Sequence, residues 1–138
     1  MIRQLRRYAD RYRHGAGPYG HLFMPCEGDE VIALDCETTG LDSRTAELVS
    51  IAAVVIKDGR VLSSQGLDVK LMPPDSLKED TIRIHRLRPV DLEGGESVRD
   101  ALDALLALVG NRPLVGWCVA FDVAMFNRYL RPLMGFAL

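Results

Sequence analysis

The segment VIALDCETTGLD, residues 31–42, carries an apolar strand directly into two acidic residues. Side chains two positions apart on a strand lie on the same face, so the carboxylates of Asp35 and Glu37 are predicted to point the same way. Two like charges at this spacing repel each other, and burial penalises both, so a cation between them would stabilise the pair. Ligands that are all oxygen atoms favour Mg²⁺ or Mn²⁺. The pair therefore predicts a divalent-metal site.

A simpler interpretation of this segment is that the first acid opens a turn and the second is merely solvated. The position of the pair argues against it, because both acids end an apolar strand and precede the sequence TTGL, residues 38–41. Gly40 permits a left-handed turn there. The hydroxyls of Thr38 and Thr39, with the neighbouring amides, can approach an anion. The segment thus combines candidate ligands for a cation and for an anion.

Length and composition narrow the class of protein. The chain has 138 residues, of which 48% are hydrophobic and 26% are charged, as expected for one soluble domain with its own core. The net charge of −2 provides no global basic field, so a nucleic-acid binder of this composition needs a local patch. Three cysteines without CxxC spacing argue against a disulfide framework or a thiolate zinc site. With no membrane-length apolar run and no signal-peptide pattern, the expected location is the cytoplasm.

Residues 1–29 form a basic N-terminal arm. One interpretation is a short amphipathic helix that packs on the domain, with apolar residues at roughly helical spacing. A second is an arm that contacts a phosphate backbone. A third, a mitochondrial transit peptide, is disfavoured by Asp10 and by the lack of serine. The arginines of the arm are Arg3, Arg6, Arg7, Arg11 and Arg13.

Residues 30–138 are predicted to form one α/β domain. Three strands come first, and Asp58-Gly59 gives a strong hairpin signal between the second and the third. A helical region from Ser76, a leucine-faced helix capped by Ser97, a fourth strand and a last helix that stops before Pro132 follow. This order predicts a mixed sheet of three antiparallel-connected strands and then a parallel one, flanked by helices. The predicted strands are 31–36, 47–57, 61–71 and 113–117, and the last helix is 120–130.

A third acid occurs in a comparable setting. The segment LVGWCVAFDVAMF, residues 114–126, runs from a strand through a glycine into a helix, with Asp122 in its first turn. The acid could merely complement the helix dipole. If the first and fourth strands are neighbours, however, it could face Asp35 and Glu37, and three converging carboxylates describe a metal site for phosphoryl transfer. Trp117, in contrast, is expected to be a core residue.

These motifs resemble those of the DEDD-family 3′–5′ exonucleases, the DnaQ-like proofreading group. ALDCETTGLD, residues 33–42, is similar to their first motif, and VGWCVAFDVAMFNRYL, residues 115–130, to their second. IRIHRLRP, residues 82–89, resembles the intervening segment, in which a histidine lies near the terminal nucleotide.

The resemblance implies an RNase H-like fold and two divalent cations, Mg²⁺ or Mn²⁺, that activate water at the terminal phosphodiester. By resemblance, the catalytic metal ligands are Asp35, Glu37 and Asp122. The residues around the 3′-terminal nucleotide are Thr38, Thr39, Gly40, Leu41, His85 and Phe121. The implied substrate is a single-stranded 3′ end of nucleic acid, with DNA as the first expectation and RNA as the alternative, and the implied protein partner is a polymerase or the missing C-terminal part.

Two departures from the family pattern affect the expected activity. Trp117 and Cys118 stand where the family often has His-Asn. No histidine of this chain has an aspartate five residues later, as the third motif requires, so the domain is expected to be C-terminally incomplete and weak or inactive alone. The alternative function is a nucleic-acid-binding or protein-binding module that keeps the exonuclease fold without turnover.

Overall fold

The computed structural model describes residues 2–138, which form a four-stranded sheet with helices. The strand order is β3-β2-β1-β4, with β1–β2 and β2–β3 antiparallel and β1–β4 parallel. This topology confirms the predicted mixed sheet and makes the first and fourth strands neighbours. The strands are β1 Val31–Thr38, β2 Leu48–Lys57, β3 Arg60–Lys70 and β4 Leu114–Val115. The helices are α1 Ile2–His14, α2 Glu79–His85, α3 Val98–Val109 and α4 Val119–Met134.

One face of the sheet forms the core. Ile32 and Leu34 of β1 alternate with outward residues, and their cross-strand partners on β2, Val55 and Ala53, are buried with them. Helices α3 and α4 cover this face, and the predicted leucine side of α3 is fully buried there. Ser97 caps α3 as predicted, since its hydroxyl accepts a hydrogen bond from the amide of Asp100 at 3.1 Å.

The other face of the sheet lacks such a helical layer. A shallow cavity of about 590 Å³ lies on it, between exposed Val61 of β3 and Asp35 of β1. Asp35 and Glu37 belong to this face, because they alternate with the buried residues of the same strand. The predicted pair of acids thus lies on the open side of the sheet.

Two helix boundaries differ from the sequence prediction. Helix α4 continues through Pro132 to Met134. Proline removes one backbone donor, and here Pro132 is exposed in the last turn, where the carbonyl that it leaves unpaired can be solvated. Helix α2 begins at Glu79 rather than Ser76, because the Ser76 hydroxyl and amide are both bound to the carboxylate of Glu47.

The N-terminal arm contains α1 and a short 3-10 turn, Gly20–Phe23. Its predicted apolar positions do not face the domain, since the side chains of Ile2, Leu5, Tyr8 and Tyr12 are all exposed. Asp10 instead is buried and forms a salt bridge of 3.0 Å with Arg131 of α4. A polar contact therefore fixes α1 against the domain. No helix within residues 2–138 is both long and apolar enough to cross a membrane.

Candidate active site

A cavity of about 450 Å³ lies at the C-terminal end of β1, bounded by α2 and by the start of α4. It collects eight of the nine residues predicted from sequence, together with five that were not predicted. The predicted ones are Asp35, Glu37, Thr38, Gly40, Leu41, His85, Phe121 and Asp122. The others are Cys36, Thr81, Ile84, Trp117 and Cys118.

Parallel pairing of β1 with β4 brings Asp122 to this cavity. Ile32 pairs with Leu114 and Ala33 with Val115, so the chain leaves β4 beside Leu34, in the middle of β1, and then enters α4. The carboxylate of Asp122, with 2% of the residue exposed, accepts a hydrogen bond from the amide of Cys36 at 2.9 Å. Asp122 is thereby held directly against the strand that carries the other two acids.

The close approach of these segments requires a glycine between β4 and α4. A Cβ atom added at Gly116 would lie 2.5 Å from the carbonyl oxygen of Leu34. Real Cβ atoms do not come this near to a backbone oxygen, so any other residue would push the β4–α4 connection away from β1. Gly116 thus sets the position of Asp122 relative to the acids of β1.

Burial controls the protonation of the groups beneath the cavity. It raises the pKa of the Asp122 carboxyl above its usual value, and the hydrogen bonds from Cys36 oppose part of that shift. Burial also raises the pKa of the Cys36 thiol far above its usual range, and the neighbouring Asp122 carboxylate adds to the effect. The thiol is therefore neutral at physiological pH and does not act as a nucleophile.

The oxygen atoms that β1 presents at the cavity are suitable ligands for a hard divalent cation. Asp35 and Glu37 provide carboxylate oxygens on one face at the edge of the cavity. Mg²⁺ is commonly bound by one or two carboxylates together with water and substrate phosphate. Within residues 2–138, no three His, Cys, Asp or Glu side chains form a group that could hold a metal ion. Asp122 lines the same cavity and is hydrogen-bonded to the Cys36 amide, so its predicted role as a third metal ligand stays a prediction.

His85 presents an unpaired polar atom at the cavity. Its Nδ1 accepts a hydrogen bond from the amide of Leu87 at 3.0 Å, which places the proton of the neutral ring on Nε2. In the part of the chain that the structure describes, Nε2 is buried and has no hydrogen-bond partner. An unmatched buried donor is costly, and an acceptor on a ligand would satisfy this N–H once the ring turns Nε2 toward the cavity that His85 lines.

Two residues of the turn after β1 behave differently from their predicted roles. The side chain of Thr39 does not line the cavity; its hydroxyl is hydrogen-bonded to Ser76 and accepts from the amide of Glu47 at 3.0 Å. Thr39 thus closes the turn that joins β1 to β2. Gly40 lines the cavity as predicted, but without the left-handed conformation expected for it.

Trp117 is the functional candidate that sequence reasoning misplaced. It was expected in the core, yet 91% of its surface is exposed at the cavity. The apolar side chains of Leu41 and Ile84 are also exposed there. Three large apolar side chains therefore line the same cavity as the acidic residues. The available signal was its place in the second motif, five residues before Asp122, where the family often has a histidine.

Comparisons with known proteins agree with this geometry. The sequence model of the exonuclease family RNase_T matches residues 32–137. The chain is 30% identical over 121 residues to an oligoribonuclease of Streptomyces griseus, covering 78% of this chain and 60% of that protein. It is 31% identical over 104 residues to a PolC-type DNA polymerase III of Clostridium perfringens, covering 74% of this chain and 7% of the polymerase. The chain therefore belongs to the exonuclease family, as its motifs predicted.

Solved structures confirm the predicted fold. Exonuclease I superposes with a TM-score of 0.66 at 16% sequence identity, covering 75% of this chain and 25% of that one. A zinc-bound complex of E. coli Exonuclease I with ssDNA superposes with a TM-score of 0.65 at 17% identity, covering 75% of this chain and 24% of that one. Divalent metal ions are general to the family. The chain spans only about 60% of the oligoribonuclease and much less of the polymerase and of Exonuclease I.

Proposed function

We propose that this domain performs 3′–5′ exonucleolytic hydrolysis of single-stranded DNA, with its 3′-terminal nucleotide in the cavity beside β1. The observation that carries this proposal is the juxtaposition of two carboxylates with an unpaired imidazole N–H and an exposed aromatic platform. A nucleotide offers a matching partner for each: phosphate oxygens for a cation and for an N–H, and a base for stacking. Family membership and the ssDNA complex of a structural neighbour support the same assignment.

In this proposal the chain's own groups bind and orient the terminal nucleotide. The His85 ring turns toward the cavity and its Nε2–H donates a hydrogen bond to a phosphate oxygen, which satisfies the donor that is otherwise buried and unpaired. Trp117 and Leu41 contact the base, since both are exposed at the cavity and aromatic stacking tolerates any base. Phe121 closes the pocket from the start of α4.

Asp35 and Glu37 are the proposed ligands of Mg²⁺ or Mn²⁺. When bound, such ions activate water for attack on the phosphodiester and stabilise the leaving 3′ oxygen. Two carboxylates leave most of the coordination sphere to water and phosphate, so metal and DNA should bind cooperatively. Asp122 supports the site through its hydrogen bond with the Cys36 amide. Hydrolysis by the 138 residues alone should be weak, because no further acid among residues 2–138 completes the set of metal ligands.

The test is a titration of Mn²⁺ by calorimetry, with and without a nonhydrolysable single-stranded oligonucleotide. We expect weak metal binding to the free chain and binding at least about tenfold tighter in the presence of the oligonucleotide. Asp35→Asn should abolish the metal binding while it leaves the size and shape of the site nearly unchanged. Asp68→Asn, on the same open face but at the far strand β3, is the matched control.

Hydrolysis is measured in parallel as shortening of a 5′-labelled oligonucleotide from its 3′ end with Mn²⁺. A slow ladder that disappears in Asp35→Asn and persists in Asp68→Asn would support the exonuclease. DNA binding without any hydrolysis would favour the binding module instead. Metal binding that is unchanged in Asp35→Asn would contradict the assignment of the ligands.

A further inference from the structure

A second cavity, of about 700 Å³, lies between α1, α4 and the α3–β4 connection. Its lining includes six arginines and a single acid, Asp10, although the whole chain carries a net charge of −2. The arginines come from separate parts of the sequence, so the fold itself concentrates them. They are Arg3, Arg6, Arg7, Arg112, Arg128 and Arg131, and we call this feature the arginine cavity.

Only part of this positive charge is neutralised within the described chain. Arg131 pairs with Asp10 at 3.0 Å, and Arg112 pairs with Glu30 at 2.7 Å. The other four guanidinium groups have no carboxylate within salt-bridge distance among residues 2–138. Arg7 and Arg128 donate to the backbone carbonyls of Leu22 and Ala46, respectively.

Arg3 and Arg6 have no such structural role. Neither forms a side-chain hydrogen bond or a salt bridge in the part of the chain that the structure describes. Both are exposed on the side of α1 that borders the cavity. Several unpaired guanidinium groups around one cavity repel each other, and a ligand carrying several phosphates relieves that repulsion through charge-assisted bidentate hydrogen bonds.

The arginine cavity and the active-site cavity beside β1 both border helix α4, on opposite sides of it, because Arg131 lies nine residues after Asp122 and therefore about half a turn around the helix. Helix α4 lines both, with Asp122 at one and Arg131 at the other, which are about 13 Å apart along the helix axis. Leu114 of the arginine cavity pairs with Ile32, about 10 Å along β1 from Asp35. At a rise of about 3.4 Å per stacked nucleotide, the axial separation alone takes roughly four nucleotides, so a strand that passes around α4 and reaches both cavities is longer than that.

We propose that the arginine cavity binds the phosphate backbone of single-stranded DNA upstream of the terminal nucleotide. This inference rests on the proposed function, since the strand that it describes is the one whose 3′-terminal nucleotide lies in the active-site cavity beside β1. Contacts to phosphate position a strand without reading its sequence, so the cavity would confer a preference for longer substrates rather than for particular bases. It also assigns to α1 a role in substrate binding, one of the two main interpretations of the basic arm.

The test compares two double variants of the same helix. Arg3→Ala/Arg6→Ala removes two unpaired guanidinium groups from the cavity. Arg11→Ala/Arg13→Ala removes the same charge from positions on α1 that do not line it. Thermal unfolding of both establishes that the fold is intact. Fluorescence anisotropy in EDTA then measures binding of labelled DNA of about twelve nucleotides and of a dinucleotide, over a range of salt concentrations.

We expect the unaltered chain to bind the longer strand more tightly than the dinucleotide. Arg3→Ala/Arg6→Ala should weaken binding of the longer strand on the order of tenfold and reduce its salt slope by about 1.4, with dinucleotide binding unchanged. Arg11→Ala/Arg13→Ala should lower the salt slope much less. This difference would show that DNA binding depends on the arginines at the cavity and not only on the total charge of the chain.

Four outcomes would overturn the inference. Equal binding of long and short DNA, or equal effects of the two double variants, would do so while leaving the exonuclease proposal standing. Displacement of the DNA by an acidic polyglutamate peptide at equal charge concentration would instead assign the cavity to an acidic protein segment. Failure of the unaltered chain to bind either DNA in EDTA would overturn this inference, and failure to bind a nonhydrolysable strand with Mn²⁺ as well would also overturn the proposed function.

Discussion

Trp117 is both exposed at the cavity and the only tryptophan of the chain. Its intrinsic fluorescence therefore reports on that cavity alone. We predict that single-stranded DNA quenches this fluorescence saturably, because a stacked base replaces water on the indole. Trp117→Ala should weaken binding by about 1–3 kcal/mol, the usual contribution of one stacked base, and Trp117→Phe should restore part of it. DNA binding without any change in fluorescence would contradict the stacking role.

Cys36 should differ sharply from the other two cysteines in reactivity. Cys26 and Cys118 are exposed, whereas the Cys36 thiol is largely buried and its pKa is raised by burial and by the Asp122 carboxylate. We predict that iodoacetamide at neutral pH labels Cys26 and Cys118 rapidly and Cys36 only after unfolding. Mass spectrometry of the alkylated peptides checks this. Rapid labelling of Cys36 in the folded chain would show that the contact between β1 and α4 opens readily.

Among the secondary structure elements, the strands were the most predictable. The β2–β3 hairpin follows from Asp58-Gly59, which both adopt positive φ angles as such a turn requires. Strand β4 was less predictable, because only Leu114–Val115 pair with β1 and the following residues turn away into α4. Trp117 was misplaced for the same reason. Its apolar character indicates burial, but its position is determined by the turn between β4 and α4.

The connection from β4 to α4 leads to a prediction about stability. Gly116→Ala would place a methyl group 2.5 Å from the Leu34 carbonyl oxygen, so β4 and α4 would have to move away from β1. We expect a loss of about 1–3 kcal/mol in the free energy of unfolding, the usual cost of overpacking, measured by urea denaturation. Gly40→Ala is the control, because its new methyl would meet only the Ala46 side chain at 3.9 Å. Equal stability of the two variants would contradict the role given to Gly116.

The candidate site shows how far a local pattern determines a three-dimensional arrangement. Alternation along β1 correctly placed Asp35 and Glu37 on one face, and the parallel neighbour β4 brought Asp122 to the same cavity. Whether three acids then form a metal cluster depends on side-chain hydrogen bonds that alternation does not specify. The Cys36 amide donates a hydrogen bond to the Asp122 carboxylate and so holds it beneath the strand.

For the molecule as a whole, the main consequence of the topology is a sheet covered by helices on one face only. The open face carries exposed Val61 and Ala52 beside Asp35, and β4 forms an exposed sheet edge. Apolar surface next to an unpaired edge favours association between copies. We therefore predict that the 138-residue chain self-associates as its concentration rises, as measured by analytical ultracentrifugation.

Two single substitutions distinguish the contribution of the open face to self-association from that of apolar surface elsewhere on the molecule. Val61→Lys places a charge on the open face, and it should shift the association to concentrations at least about tenfold higher because burying an unpaired ammonium group is costly. Val90→Lys introduces the same charge at an exposed valine away from the sheet, in the turn Pro89–Leu92, and should leave association unchanged. A monomer at all concentrations, or equal effects of the two lysines, would show that the open face does not drive association. Since Asp35 borders this face, association that depends on Val61 should also reduce metal binding at high protein concentration, and Val61→Lys should restore it.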